Sequence, residues 1–237
     1  MNNAMPHSAY DARRGEIETY FDRTAADAWA KLTSDAKVSG VRATVRAGRD
    51  AMRKTLLFWM PVDLKGVRVL DAGCGAGQLS IEAARRGADV VAVDVAGTLV
   101  NLARERAEKE TFAGSIDFRT GDMLDKGLGD FDYVVAMDSL IHYEADDIVR
   151  VLEGLAPRIR DAMLFTFAPK TAALSTMHAI GKLFPKGDRA PSIRPAGDAG
   201  LRARIAVASG LNTWAPARTK KVSSGFYTSQ AMELRPQ

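Results

Sequence analysis

The sequence lacks the features that mark secreted, membrane-spanning and disulfide-bonded proteins. Its single cysteine excludes an intramolecular disulfide and a metal site built from a cysteine cluster. The chain contains no run of about 18 apolar residues that could span a bilayer, and its polar N-terminus lacks the apolar centre of a secretion signal. The net charge of +4 is too small to predict a nucleic-acid partner. We therefore expect a cytoplasmic protein with no nucleic-acid partner and no protein-bound metal.

The chain has 237 residues, of which 46% are hydrophobic, enough for one α/β unit with an added cap. We expect frayed residues at 1–12. The spacing of apolar residues predicts a division into four parts. These are a helical N-terminal arm or lid at 1–60, an α/β core at 61–170, a cap insertion at 171–212 and C-terminal strands at 213–237 that complete the core sheet.

Strand and helix patterns alternate through the central part of the chain. The predicted strands are 67–70, 90–93, 116–119, 131–137 and 162–167, and the predicted helices between them are 78–86, 99–110 and 148–158. The second strand is continuously apolar, which is typical of a sheet buried on both faces. The alternation predicts a parallel sheet with right-handed crossovers. Helical spacing also predicts a helix at 171–184, and a hairpin is predicted around 223–225.

A glycine-rich loop follows the first predicted strand, in the run Val-Leu-Asp-Ala-Gly-Cys-Gly-Ala-Gly at 69–77. Its glycines lie at 73, 75 and 77, whereas the dinucleotide fingerprint is G-x-G-x-x-G. The D-x-G-x-G-x-G run resembles the cofactor loop of class I S-adenosylmethionine (SAM) methyltransferases. That resemblance implies a seven-stranded, Rossmann-like α/β sheet with a helical N-terminal arm and a helical cap insertion.

Four carboxylates should gather at the ligand-binding edge of this sheet. Asp71, Asp94 and Asp138 end the first, second and fourth predicted strands, and Asp122 follows the third. An acid at the end of the second strand is placed to accept hydrogen bonds from a ribose diol, so Asp94 is a candidate for that role. The alternative is that Asp94 caps the following helix.

The other two acids near the loop have their own candidate roles. Asp122 and Met123 would suit an adenine ring, with an Asx turn after Gly121 as the structural alternative. Asp71 is expected to organise the loop and face the cationic amino-acid end of the cofactor. A site lined by carboxylates favours the cations of SAM over the pyrophosphate of NAD. The predicted cofactor site comprises Asp71, Gly73, Cys74, Gly75, Gly77, Asp94, Val95, Asp122, Met123 and Asp138.

Two further groups are candidates for contact with the second substrate. Arg42, Arg46, Arg49 and Arg53 recur at helical spacing and are either a solvated face or a basic edge that meets a carboxylate. His142 lies just past the fourth predicted strand. It is either an ordinary loop residue or a group that orients an acceptor oxygen or takes a proton.

Three segments resemble the magnesium-protoporphyrin IX O-methyltransferase family. They are the arm, with Phe-Asp-Arg-Thr at 21–24, Ser-Asp-Ala-Lys-Val-Ser at 34–39 and the arginines that follow; the run Val-Ala-Met-Asp-Ser-Leu-Ile-His-Tyr at 135–143; and the C-terminal runs 223–227 and 233–235. The likeness extends over roughly 18–235. It implies SAM-dependent methylation of a propionate carboxylate of magnesium-protoporphyrin IX to the monomethyl ester, in (bacterio)chlorophyll biosynthesis.

The resemblance also implies roles for particular residues and partners. The resemblance implies that His142 acts in catalysis, and our hypothesis is that His142, with Tyr143 or Tyr20, holds the acceptor carboxylate. The substrate-binding candidates are Arg46, Arg49 and Met177. Many relatives have tyrosine where this chain has Thr33, so any catalytic role of that tyrosine must fall elsewhere or be absent. The magnesium chelatase large subunit is a candidate partner, and apolar lid residues would favour at most peripheral contact with the photosynthetic membrane.

Three other functions compete with this one. The first is a class I methyltransferase with another small acceptor, such as a quinone or an amine. The second is an RNA methyltransferase, suggested only by the sequence pI of about 9.2. The third is an NAD-dependent oxidoreductase.

Overall fold

The computed structural model of the chain describes residues 9–24, 33, 40–170 and 192–237. Its helices are α1 (Ala9–Thr19), α2 (Val41–Trp59), α3 (Gln78–Arg85), α4 (Gly97–Ala107), α5 (Ala145–Leu155) and α6 (Asp198–Val207). Its strands are β1 (Arg68–Ala72), β2 (Asp89–Asp94), β3 (Ser115–Thr120), β4 (Phe131–Ala136), β5 (Ile159–Phe167), β6 (Trp214–Ser224) and β7 (Tyr227–Pro236). A π-helical turn, Tyr20–Thr24, continues α1.

The seven strands form a single sheet in the order β3-β2-β1-β4-β5-β7-β6. Strands β1 to β5 pair in parallel, and β7 runs antiparallel to both β5 and β6. The predicted Rossmann-like sheet is confirmed. The strand order reverses between β1 and β4, and open α/β sheets bind ligands at the carboxyl ends of the strands at such a point.

The hydrophobic core lies on both faces of the sheet, because successive side chains of a strand point to opposite faces. Leu70 of β1 joins the cluster on one face, and its neighbour Val69 joins the cluster on the other. Both side chains are completely buried. Each such burial contributes about 1.5–3 kcal/mol. These two layers fix the strand ends that form the site.

The first helix of the N-terminal arm includes residues that the sequence predicts to be frayed. The expectation that residues 1–12 are frayed is wrong for the described residues 9–12, which lie in α1. Tyr10 and Ile17 are buried in the hydrophobic cluster on one face of the sheet, the face to which Leu70 of β1 points. Apolar residues in α1 are not strongly segregated to one face, so this packing against the core stabilises the helix.

Helix α2 lies against the β6–β7 hairpin. The side chain of Tyr227 packs so closely on Gly48 that a Cβ there would overlap it. Gly225 in the hairpin turn has φ +54° and lies beside Thr44 of α2. The hairpin predicted around 223–225 is confirmed, and it positions α2 beside the sheet edge.

The predicted helix at 171–184, with Met177, lies outside the described residues. Arg194 and Ala196 lie within the predicted cap insertion at 171–212, and backbone hydrogen bonds tie them to the core. The Arg194 N–H donates to the Ile141 carbonyl at 2.8 Å, and the Ala196 N–H donates to the Ala168 carbonyl at 2.8 Å. Across the parts of the chain that the structure describes, no helix has the length and apolar character needed to cross a membrane.

Candidate active site

A cavity opens at the carboxyl ends of β1, β2 and β4. Its volume is about 940 Å³, including space open to solvent. Its lining comes from the glycine-rich loop, the strand ends, the loop after β4 and the arm. Lining residues from the core are Asp71, Gly73, Cys74, Gly75, Ala76, Gln78, Leu79, Val93, Asp94, Val95, Leu99, Gly121, Met123, Met137, Asp138, Ser139, His142 and Tyr143. Those from the arm are Tyr10, Ile17, Phe21, Thr33, Arg49 and Arg53.

The glycine-rich loop has a backbone that other residues rarely adopt. Gly73, Gly75 and Gly77 have φ of 86°, 51° and 76°. A Cβ at position 73 would overlap the Ser139 side chain, and one at position 77 would lie 2.8 Å from the Ala103 Cβ. These positions favour glycine for two reasons: it adopts positive φ without strain, and it has no Cβ to clash with the residues packed against the loop. Half-buried Cys74 lies in this loop, where burial raises the pKa of its thiol.

Asp71 is almost completely enclosed beneath the loop. Its carboxylate accepts a 2.5 Å hydrogen bond from the Ser80 hydroxyl of α3. Burial raises the pKa of Asp71 to about 7, and nearby Asp94 also raises it, whereas the Ser80 hydrogen bond lowers it. A cation in the cavity would favour the ionised form of this carboxyl.

Asp94 at the end of β2 is held by two backbone groups. The Gly75 N–H donates to one carboxylate oxygen at 2.8 Å, and the Ala96 N–H donates to the other at 2.9 Å. The N-cap residue of α4 is Ala96, so Asp94 is not that cap. Burial raises the pKa of Asp94. The ribose role stays a prediction, and the contacts orient this carboxylate at the cavity wall.

Asp122 joins the core to the arm. It accepts hydrogen bonds at 2.8 Å from both the Tyr10 hydroxyl and the Arg14 guanidinium. The Leu124 N–H donates to it at 2.9 Å, which forms the Asx turn considered above. Asp122 does not line the cavity, whereas its neighbour Met123 does. Its proposed contact with adenine therefore stays a prediction.

Asp138 is the centre of a buried polar cluster. It has φ 55°, a left-handed backbone that Asp tolerates better than most residues. Its side chain is only 4% exposed and pairs with the Arg49 guanidinium of α2 at 2.7 Å. The Tyr227 hydroxyl donates to it at 3.0 Å and the Ser229 hydroxyl at 3.1 Å. The cluster thus joins α2, the loop after β4 and β7 at the cavity wall.

His142 and Tyr143 lie together in the loop after β4. His142 is buried, and its ring centroid lies 6.1 Å from that of Phe21 at 62°. Tyr143 stacks on Tyr10 at 5.2 Å. Burial raises the pKa of the Tyr143 phenol far above its ordinary value, so this group stays protonated near neutrality. Tyr20 contacts Phe21 edge-on but is not among the lining residues.

The four arginines of α2 occupy different environments. Arg42 is exposed and Arg46 is half-buried, and neither lines the cavity. Arg49 pairs with Asp138, as described. Arg53 lines the cavity and pairs with Asp50 at 2.9 Å. Substrate contact by Arg46 and Arg49 stays a prediction, and Arg53 is an additional candidate that the site prediction omitted.

Thr33 is hydrogen-bonded to side chains of α3 and α4. The Gln78 side chain donates to its carbonyl at 2.8 Å, and the Arg106 guanidinium donates to its hydroxyl at 3.0 Å. The hydroxyl is buried at the cavity wall. These contacts hold Thr33 itself at the cavity wall.

Sequence reasoning missed the contribution of α1. Tyr10, Ile17 and Phe21 all line the cavity, yet the first lies where fraying is expected. Their spacing of seven and four residues places them on one helical face, which is the signal that could have found them. Within residues 9–24, 33, 40–170 and 192–237, no cluster of three or more His, Cys, Asp or Glu side chains could hold a metal ion.

Comparisons with known proteins agree on a methyltransferase. The family described as "Magnesium-protoporphyrin IX methyltransferase C-terminus" matches residues 136–236, and the family described as "Methyltransferase domain" matches 69–161. A magnesium-protoporphyrin O-methyltransferase from Rhodobacter capsulatus is 49% identical over 98% of this chain and 100% of its own length. Its counterpart from Synechocystis is 31% identical over 92% of this chain and 94% of its own.

A solved structure is similar over nearly the same span. The crystal structure of magnesium protoporphyrin IX methyltransferase from Synechocystis PCC 6803 with bound SAH matches with a TM-score of 0.82 and 30% identity. The match covers 94% of this chain and 99% of that one.

Proposed function

The chain belongs to the magnesium-protoporphyrin O-methyltransferase family, and from this membership we propose that it methylates a propionate carboxylate of magnesium-protoporphyrin IX to the monomethyl ester. The observation that carries the proposal is the 49% identity to the Rhodobacter capsulatus enzyme over 98% of the chain. It is a SAM-dependent methyltransferase, and the activity belongs to (bacterio)chlorophyll biosynthesis.

The residues of the cavity fit SAM. Gly73, Gly75 and Gly77 have positive φ angles, and Gly73 and Gly77 pack without Cβ atoms against Ser139 and Ala103, which fixes the path of the loop along the cavity. Asp71 and Asp94 supply negative charge near the loop, which suits the ammonium and sulfonium groups. The loop N–H groups and the start of α3 suit the cofactor carboxylate. Val95, Gly121 and Met123 continue the cavity wall where the nucleoside would lie.

When bound, SAM supplies a methyl group on a cationic sulfur: a carboxylate oxygen forms the new O–C bond as the C–S bond breaks, and the electron pair stays on sulfur. A propionate has a pKa near that of Glu, about 4.3, and is already ionised at pH 7. The protein therefore needs no strong base. Its residues must align the acceptor oxygen and exclude water, which can supply roughly 7–11 kcal/mol.

We assign the alignment to His142 and Tyr143. Both line the cavity in the loop after β4, and Phe21 and Tyr10 pack on them from the arm. The Tyr143 phenol stays protonated, so it is suited to donate a hydrogen bond to a carboxylate. Tyr20 lies one residue before the lining residue Phe21 and contacts it edge-on, and from there it would reach the acceptor.

The alternative acceptors have less support. Two curated relatives, which match over at least 92% of this chain, are both named for magnesium-protoporphyrin, not for a quinone or an amine. The carboxylates at the loop oppose the pyrophosphate of NAD. Contact with the magnesium chelatase large subunit, and peripheral contact with the photosynthetic membrane, remain predictions from the family likeness.

The test is turnover of labelled SAM with magnesium-protoporphyrin IX, with metal-free protoporphyrin and a quinone acceptor alongside. We expect the label in a monomethyl ester of the magnesium porphyrin. Labelling of the quinone in preference to the porphyrin would contradict the proposed substrate.

A His142→Ala variant should keep its affinity for S-adenosylhomocysteine (SAH) and lose turnover. Wild-type turnover in this variant would remove His142 from the mechanism.

A further inference from the structure

Two arginines of α2 reach the same cavity one helical turn apart. Arg49 and Arg53 are four residues apart, so their side chains lie on one side of the helix. Both line the cavity, and both are mostly enclosed, with side-chain exposures of 16% and 19%. The two guanidinium groups nevertheless have partners of very different character.

The partner of Arg49 is a buried carboxylate. Asp138 is 4% exposed and also accepts hydrogen bonds from Tyr227 and Ser229. If Arg49 left this pair, the Asp138 charge would remain in an enclosed site without its counterion, which is costly. Arg49 is therefore committed to the protein's own carboxylate and is poorly placed to exchange it for a ligand.

The partner of Arg53 is a carboxylate near the surface. Asp50 lies three residues earlier on the same helix, and its side chain is 38% exposed. Such pairs contribute little to stability because water solvates the released charge well. Arg53 can therefore exchange Asp50 for a ligand carboxylate at small cost, and Asp50 can then be hydrated.

The proposed substrate requires such a cation. It carries two carboxylates, and Asp71, Asp94 and Asp138 are among the residues that line the cavity. One substrate carboxylate must face the methyl group near these acids. The other needs a positive partner, and the planar fork of a guanidinium binds a carboxylate with two parallel hydrogen bonds.

We propose that Arg53 binds the substrate carboxylate that is not methylated and so selects dicarboxylate acceptors. This inference rests on the proposed function and adds a subsite to it. Arg53 would leave Asp50 when the acceptor binds, while Arg49 stays on Asp138. The bound geometry then directs only one of the two acidic side chains toward His142.

Binding of three porphyrins tests this assignment. Soret-band titrations would give the dissociation constants of magnesium-protoporphyrin, its monomethyl ester and its dimethyl ester for the wild type and for Arg53→Gln. The monomethyl ester keeps the unreacted carboxylate, so Arg53→Gln should weaken it and the diacid alike, by about tenfold or more. The dimethyl ester has no carboxylate and should bind both proteins equally. Arg53→Lys should lose less, because it keeps the charge without the fork.

The matched control is Lys54→Gln, which removes the same charge from an exposed neighbour on α2. SAH affinity, measured by calorimetry, checks that each variant is folded. The assignment is overturned if Arg53→Gln weakens the dimethyl ester equally, leaves the monomethyl ester unaffected, or acts no more strongly than Lys54→Gln. Failure of the proposed function is a separate result: the wild type would then bind SAH but neither bind nor methylate magnesium-protoporphyrin.

Discussion

The cavity has two halves that are built in different ways. The strand-edge half consists of the glycine-rich loop and the carboxylates beneath it, and Asp71 and Asp94 are held there by residues close in the sequence: Ser80 and Asp71 are 9 residues apart, and Gly75 and Asp94 are 19 apart. The arm half is attached by distant pairs, such as Tyr10 with Asp122, which are 112 residues apart.

The backbone determines the shape of the strand-edge half, whereas side-chain contacts determine the position of the arm half. In the strand-edge half, positive φ angles and strand ends define the shape before any ligand contact is made. In the arm half, a few side-chain contacts hold α1 and α2 over the cavity. We therefore expect substitutions in the strand-edge half to disrupt the folding of the site. Most substitutions in the arm half should change how closely the arm packs over the cavity.

The largest effect is expected in the strand-edge half, for Gly73→Ala. Alanine would need a left-handed backbone, at about 1–2 kcal/mol, and its Cβ would overlap Ser139, at about 1–3 kcal/mol more. Urea unfolding should therefore show a loss of about 2–5 kcal/mol, and calorimetry a large loss of SAH affinity. Gly15→Ala in α1 is the control, because no atom lies within 4 Å of its added Cβ. A similar loss in both variants would contradict the comparison.

The next effect concerns the buried pair that joins the halves. Arg49→Gln leaves the Asp138 carboxylate buried with only neutral donors, including Tyr227 and Ser229. We expect a loss of about 3 kcal/mol in the free energy of unfolding. Arg53→Gln, which breaks the more exposed pair with Asp50, should cost less than about 1 kcal/mol. Equal losses in urea unfolding would show that the two pairs do not differ as described.

The strand-edge half was largely predictable from the sequence, and the arm half was not. Asp71, Gly73 and Gly75 lie at the end of β1 and in the turn after it, and Asp94 ends the next strand of the same β-α-β unit, so the chain order carries the geometry. The pair of Asp122 with Tyr10 depends on how an N-terminal helix docks on a sheet formed much later in the chain. No local pattern specifies that contact, and a short polar segment at the N-terminus otherwise predicts fraying.

The arginines show the same limit at the level of side chains. Helical spacing placed all four on one side of α2, and that part of the prediction needs only the helix period. The helix period could not distinguish Arg49, which pairs with buried Asp138, from Arg53, which pairs with the more exposed Asp50. That distinction depends on the position of β4 and β7 against the helix, which is a property of the tertiary packing.

Per pH unit, a smaller effect should appear in the pH dependence of the strand-edge half. Asp71 has a pKa raised to about 7 in the folded protein, above its unfolded value near 4. The folded state therefore binds more protons in this window, and Asp71 makes stability fall as the pH rises from about 4 to about 7, by at most about 1.4 kcal/mol per pH unit. Binding of cationic SAM should strengthen over the upper part of the same window, because it favours ionised Asp71.

The comparison of wild type with Asp71→Asn isolates this term from other titrating groups, including Asp94. Urea unfolding of the ligand-free proteins at pH 5, 6 and 7, values chosen inside the roughly 4–7 window, should give a difference between the two that changes with pH. Calorimetry with SAM should show a shallower pH dependence for Asp71→Asn. A constant stability difference across the window would mean that Asp71 does not titrate there.

The smallest effect is expected for the arm contact of Tyr10. Tyr10→Phe keeps the ring that stacks on Tyr143 and removes only the hydroxyl that donates to Asp122. Because Arg14 still pairs with Asp122, the loss should be about 1 kcal/mol. Tyr10, Ile17 and Phe21 line the cavity, so weaker docking of α1 should reduce SAH affinity by about fivefold. Glu16→Gln, which breaks a pair with Arg13 at the exposed surface of the same helix, should change the affinity far less. If Tyr10→Phe loses stability but keeps full SAH affinity in calorimetry, the arm contributes to the fold alone, and the cofactor is bound by the strand-edge half without it.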